Sequence, residues 1–345
     1  MKKTYIEPRP VVNDKEKQYL DKLTKQYEYL IKTGRFAKAG KKVFDKIPKS
    51  VKNGINALKE EITGAELYEA FIQKVAKGFE ELEKHAAKIT VSEKRVVKQV
   101  DRITKYNTIT CLDEVCLARG YNISKLVASY RTKDILVAFV EGGATGFFGF
   151  AGILPNLVLS TFIYFRAVQS IATYYGYDVK KDPAELVIAG DVFMKALSPK
   201  SKGDNELTGM IGKIMVMTET TVVKQTAAKS WEAMAARGGV CLVLAQMRAL
   251  SNKAAQKALE KAGQKGLEKS LFKSILEQMG KKLTKDAIGK AVPFVGMFVG
   301  GMFDTAQMST ILEYAEIFYH KRFILEKEVR VNLLINGYDV NNCKY

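Results

Sequence analysis

Side chains able to do acid–base or phosphate chemistry are few in this sequence, and most stand beside two uncharged runs. Glu141, Asp178, Asp191 and Asp304 are the nearby carboxylates, Arg166 closes the first run, and His85 and His320 are the two imidazoles. A carboxylate facing Arg166 across a pocket could move a proton, and the guanidinium could instead meet a lipid phosphate bidentately. Simple pairing of Arg166 with Asp178 or Asp191 is the plainer expectation. His85 lies in EKHAAK and His320 beside Lys321, so both are expected to face solvent. Neither a Ser/His/Asp set nor a paired-carboxylate signature can be assembled from spacing, and no catalytic residue is assigned.

Two further chemistries are disfavoured. The stretch Gly142-Gly143-Ala144-Thr145-Gly146 is glycine-rich, yet no GxxxxGK[ST] pattern, following lysine or βαβ context accompanies it, so it is not read as a nucleotide loop. Cys111, Cys116, Cys241 and Cys343 form no CxxC pair, and with 2 histidines in the chain a Cys/His metal site is improbable. No cofactor is expected. Reduced, buried thiols of an intracellular protein are the simple reading.

The elements that must position these residues are helical throughout. Alternating strand patterns and hairpin turns between paired apolar runs are missing, so the fold class is all-α. Residues 1–60 carry 16 Lys/Arg against 7 Asp/Glu and form a basic N-terminal extension with one amphipathic helix through Tyr19, Leu20, Leu23, Tyr27, Leu30 and Ile31. Residues 61–345 form the main helical domain. Within it a helix is predicted over Glu61 to about Thr90, a second from an N-cap at Ser92, and a third over 109–129 broken around Gly120. Asp182-Pro183 starts another, and SPKSKGDNE (198–206) reads as a surface loop. Lysine recurs every fourth residue from Lys253 to Lys273 and winds as a band on one side of a helix.

Residues Gly142–Phe165 contain no charge across 24 residues, in a chain that is 27% charged. Gly142, Gly143, Gly146, Gly149 and Gly152 are spaced for close backbone approach, Pro155 follows, and Gly176 is a left-handed stop. A second uncharged run, 291–303, has Pro293, Gly296 and Gly300 before Asp304. The two are expected to pack as glycine-rich apolar hairpins along one seam. The first is long enough to span a bilayer, but Pro155, Asn156 and its glycines make insertion marginal. Core hairpin, re-entrant hairpin and full span all stay open.

These residues carry a resemblance. GGATG (142–146), the Pro155 segment, Arg166, the ending Tyr175-Gly176-Tyr177-Asp178, and VPFVG-x-x-x-G-x-x-x-D (292–304) resemble the EcsC family, over roughly residues 90–325. That family is named after the third product of a bacterial ABC-transporter operon. The resemblance implies a bacterial, mainly helical domain working at or near the cytoplasmic membrane, with no settled reaction. One departure is Ile153, where the family pattern has an Asp two residues before the proline.

A formal charge of +18 favours an acidic partner. The lysines are poorly interleaved with aromatics or arginine, so nucleic acid is disfavoured. The N-terminus carries no signal-like apolar stretch. The sequence therefore points to a non-enzymatic, membrane-associated helical protein that binds anionic lipid or a transporter-like membrane protein at the inner face of the cytoplasmic membrane. An enzyme acting on a lipid or other apolar substrate, or a pore-forming protein, are the alternatives. Which small-molecule ligand, if any, the chain takes is left open by the sequence.

Overall fold

The structure is a computed structural model and describes residues 4–32, 79, 83, 90–143, 153–197, 205–221, 231–263, 266–286 and 305–336. Among these, every regular element is a helix, and the fold is all-α. The elements are α1 (Asp14–Lys32), α2 (Glu93–Ile103), a 3-10 turn (Asp113–Leu117), α3 (Gly120–Gly143), α4 (Ile153–Tyr174), α5 (Pro183–Leu197), α6 (Glu206–Val216), a second 3-10 turn (Glu219–Thr221), α7 (Trp231–Ala235), α8 (Gly239–Ala262), α9 (Leu267–Asp286) and α10 (Thr305–Asn336).

Helix α10 is the axis. It packs against α1, α3, α4, α5, α6 and the first 3-10 turn, while α8 closes the far side against α5, α6, α7 and α9. Tyr314, Phe318, Tyr319, Phe323, Ile324 and Leu325 point in several directions around α10 and are all buried. Helix α10 is enclosed on nearly all sides, which removes the clean stripe a surface helix would show.

Local signals explain most boundaries. α1 begins with a reciprocal cap: the Glu16 N–H donates to Asn13 Oδ1 at 2.9 Å and the Asn13 N–H donates to Glu16 Oε2 at 3.2 Å. Ser92 caps α2 as expected, accepting from the Arg95 N–H. Pro183 is the first residue of α5, where its missing N–H costs nothing. Gly263, at φ +67°, ends α8, so the lysine band is divided between α8 and α9 instead of winding along one helix.

Several expectations meet the structure only in part. α3 runs through Glu141, Gly142 and Gly143, and α4 starts at Ile153. Pro155 therefore sits in the first turn of α4, where proline needs no N–H partner, and not at a kink in mid-element. Thr145, Gly146, Gly149, Gly152, Pro293, Gly296, Gly300 and Asp304 lie outside the described residues, as do His85, the boundary near residue 60, nearly all of the Glu61–Thr90 helix and most of the 198–206 loop. The seam expected between the two glycine runs lies outside them too. Leu20, Leu23, Tyr27 and Leu30 of α1 are buried in the same core as α10. No described helix is long and apolar enough to cross a membrane.

Candidate functional site

Arg166, on α4, takes neither of its expected partners. Its Nε lies 2.8 Å from Glu268 of α9 and its terminal nitrogen 3.2 Å from Glu83, with the guanidinium 5.3 Å from the Phe162 ring. Burial pushes the Glu268 carboxyl above its ordinary value, and neighbouring Arg166 only partly offsets this. Gln169 donates to the same carboxylate at 3.0 Å. Asp178 instead folds back on its own turn, accepting the Lys180 and Lys181 N–H groups at 3.1 and 3.0 Å. Asp191 accepts from the Asn205 amide at 3.1 Å. Of the four candidates for one polar site, Arg166 and Asp178 engage different partners, and the Glu141 side chain and Asp304 lie outside the described residues.

The Tyr175-Gly176-Tyr177 turn is a built feature. Gly176 has φ +78°, and the Tyr177 and Gly176 N–H groups close the end of α4 by donating to Ala172 and Thr173 carbonyls. Arg330 of α10 donates to the Tyr175 and Gly176 carbonyls, both at 2.9 Å. A Cβ at residue 176 would fall 2.6 Å from that guanidinium and 2.7 Å from the Leu112 carbonyl, so only glycine fits. The Tyr177 hydroxyl donates to Glu326 at 3.0 Å, and Arg322 stacks 3.9 Å over its ring.

The largest polar constellation among the described residues was hidden from sequence reasoning: in one run of α10, His320, Lys321, Arg322, Glu326 and Lys327 are buried, with Arg330 half-buried at its end. Arg322 donates bidentately to Glu185 at 2.6 and 2.7 Å and through Nε to Glu326 at 2.9 Å. Arg248 of α8 joins Glu185 at 2.7 Å and Asp182 at 2.6 Å. Burial alone would raise the Glu185 carboxyl, but the Arg322 and Arg248 charges hold it below its usual value. Further along, Lys327 donates to Glu16 at 2.6 Å and to the Ala118 carbonyl at 2.7 Å. Glu16 also accepts from the Gly120 N–H and from Arg119, both at 3.0 Å. One capping carboxylate of α1 therefore joins α1, the start of α3 and α10.

Two members of the run lack a charge partner. Lys321 reaches Thr24 Oγ1 of α1 and the Met215 carbonyl of α6 (2.7 Å), and burial pushes its amine down to about 7. His320, expected at the surface, is wholly buried between Tyr175 (ring centroids 5.4 Å) and Tyr19 (5.2 Å). Among the described residues neither of its ring nitrogens has a hydrogen-bond partner, and burial pushes the imidazole down to about 3. The space comes from Gly120, whose missing Cβ would stand 3.0 Å from Nε2.

This interior joins helices through ion pairs such as Arg322–Glu185 and Lys327–Glu16. Among the described residues no group of three or more His, Cys, Asp or Glu is placed to hold a metal ion. The surface offers a groove of about 1040 Å³ between the N-terminal strap (Tyr5–Arg9), the turn after α2 and the end of α10. Sequence reasoning missed it, because residues 5–9, 103–107 and 332–336 come together only through the fold.

A family model described as the EcsC protein family matches residues 14–324. The match begins at the first residue of α1, well ahead of the span over which the motifs alone showed the resemblance. No curated protein and no solved structure matches the chain.

Proposed function

The chain belongs to the EcsC protein family, and from that premise we propose that it is a non-enzymatic protein that works bound to an anionic membrane surface. The location it implies is the inner face of the cytoplasmic membrane, beside membrane proteins of the transporter kind. Electrostatic attraction of surface cations to acidic headgroups supplies the affinity.

One observation carries the reading. Glu16, Glu185, Glu268, Glu316 and Glu326 are each engaged by an inward cation, respectively Lys327, Arg322, Arg166, Arg131 and Arg322 again. Folding thus engages these five carboxylates with cations of the interior, while the chain as a whole carries +18. Among the described residues Lys94, Lys98, Arg102, Lys253, Lys257 and Lys261 stay exposed, where such charge acts over about a Debye length. Ion pairs of this kind are a structural device and do not move protons, so the interior adds nothing to an enzymatic reading.

Flotation of the full chain with vesicles tests this. At near-physiological salt it rises with vesicles containing phosphatidylglycerol and stays below with pure phosphatidylcholine. Equal flotation with both vesicles, or flotation with neither, would remove the reading. Release of an entrapped dye would move the protein to the pore-forming class, and turnover of the lipid would move it to the enzymes.

A further inference from the structure

The geometry points to one face as the membrane-docking surface: the outer side of α2 together with the edge formed by Tyr106, Ile6 and Ile335. This inference rests on the anionic-surface reading above and adds which residues meet the lipid and how.

Helix α2 has a predominantly cationic outer face. Lys94, Arg95, Lys98 and Arg102 are all exposed, and at about 100° per residue they fall within one arc of about 100°, with Lys105 continuing the line just past the helix end. Val96 and Val100 lie opposite and are completely buried. The two acids of the segment are turned to other tasks: Glu93 pairs with Lys181 at 2.8 Å, and Asp101 accepts the Ile109 N–H at 2.8 Å. α1, by contrast, mixes its signs, with Lys17 against Asp14 and Lys32 against Glu28.

At the end of this cationic line stands apolar surface. Of the five large hydrophobic residues that the described chain exposes, three border the groove beside α2: Tyr106 at 75%, Ile6 at 58% and Ile335 at 38% exposure. The projection of Ile6 is fixed, because the Asn107 amide donates to the Ile6 carbonyl at 2.7 Å and accepts its N–H at 2.8 Å. Arg119 holds the strap further on through the Pro10 and Val11 carbonyls. A rigid cationic helix flanked by a projecting ring and two aliphatic side chains matches a bilayer interface: cations at phosphate depth, Tyr and Ile at the acyl boundary. A nucleic acid would use the cations and could stack on Tyr106, but the aliphatic pair offers a base nothing.

The lysines Lys253, Lys257 and Lys261 of α8 form a natural control, since they too are exposed at four-residue spacing while α8 itself exposes no large apolar residue. The test compares flotation of three full-length proteins on vesicles with about 30% phosphatidylglycerol at about 150 mM salt: wild type, Lys94→Glu/Lys98→Glu/Arg102→Glu, and Lys253→Glu/Lys257→Glu/Lys261→Glu. The charge change is equal in the two variants. The α2 variant is expected to partition on the order of a hundredfold less than wild type, and the α8 variant less than about tenfold less. Equal loss in both variants, or no loss in the α2 variant, overturns the face while leaving surface binding intact; failure of wild type itself overturns the functional reading instead. A Tyr106→Trp protein reports insertion: its emission shifts to the blue on adding anionic vesicles beyond any change from Trp231 alone, and an unshifted spectrum overturns the apolar edge. Tighter binding of α2-dependent single-stranded RNA than of vesicles overturns the choice of lipid. All the substituted side chains are exposed, so unchanged circular dichroism and melting temperature accompany the expected results.

Discussion

Replacing Lys321 with methionine should make the protein more stable near neutral pH and flatten part of its pH dependence. Lys321 is a buried ammonium whose contacts are the Thr24 hydroxyl and the Met215 carbonyl; Asp21 and Glu28 of α1 act on it only at longer range. Its folded pKa is about 7, against an ordinary value of 10.5. A group whose folded pKa is depressed in this way is protonated in the unfolded chain but neutral in the fold between the two values. The unfolded state then binds more protons, so stability rises with pH from about 7 toward 10.5. Between pH 7 and pH 9.5 that contributes about 3 kcal/mol, at about 1.4 kcal/mol per pH unit. Methionine keeps the unbranched stem and removes the charge, at the expense of about 1 kcal/mol for the hydrogen bond lost by the Met215 carbonyl. Below pH 7 the variant should therefore gain about 2–4 kcal/mol over wild type, and this advantage should shrink steadily up to pH 9.5. Urea unfolding at pH 6, 7.5 and 9.5 measures both curves; the difference between them isolates Lys321 from Lys327, whose amine is also depressed, to about 8. Parallel curves, or a variant less stable than wild type at pH 6, would refute the claim that an uncompensated ammonium lies under α1.

Three more outcomes follow from the same interior. Glu16→Gln leaves Lys327 buried without its carboxylate and weakens the α1 cap, so it should cost about 3–5 kcal/mol, read as a lower urea midpoint. Gly176→Ala drives a methyl into Arg330 and the Leu112 carbonyl at positive φ; a loss of at least about 2 kcal/mol is expected, and a melting temperature equal to wild type would contradict it. His320 contributes stability that is complete above about pH 6.5 and is lost as pH falls toward its folded value of about 3, so His320→Phe should remove a share of the acid-side destabilisation between those values when unfolding is followed by circular dichroism.

Helix class and several boundaries were legible in the sequence because they are written locally. Ser92, Asp182-Pro183 and Gly176 act on backbone groups within a few residues, and they end or begin helices where expected. The polar interior was not legible, for a physical reason: periodicity reports burial only when one face is dry and the other wet. α10 is enclosed on nearly all sides, so His320, Lys321 and Arg322 interrupt the pattern a sequence reader looks for, and such a run normally marks solvent. Arg166 shows the same limit, since its carboxylate partners, Glu83 and Glu268, are 83 and about 100 positions away, while Asp178 and Asp191 were merely near in the chain. The cationic arc of α2 was present in the spacing of Lys94, Lys98 and Arg102, but its apolar edge exists only once Ile6 is pinned beside Tyr106.

The place of α10 also sets the order in which the protein can be made. The ion pair of Glu16 with Lys327 closes a separation of 311 residues, and the Lys321 contact with Thr24 closes 297. At about 5–20 residues per second, α1 waits on the order of 15–60 s during synthesis before the helix that completes its buried face emerges. Until then Leu20, Leu23, Tyr27 and Leu30 lack their α10 neighbours, and contacts this far apart in sequence close late. A nascent chain that has not reached residue 305 therefore leaves this face of α1 without the helix that covers it.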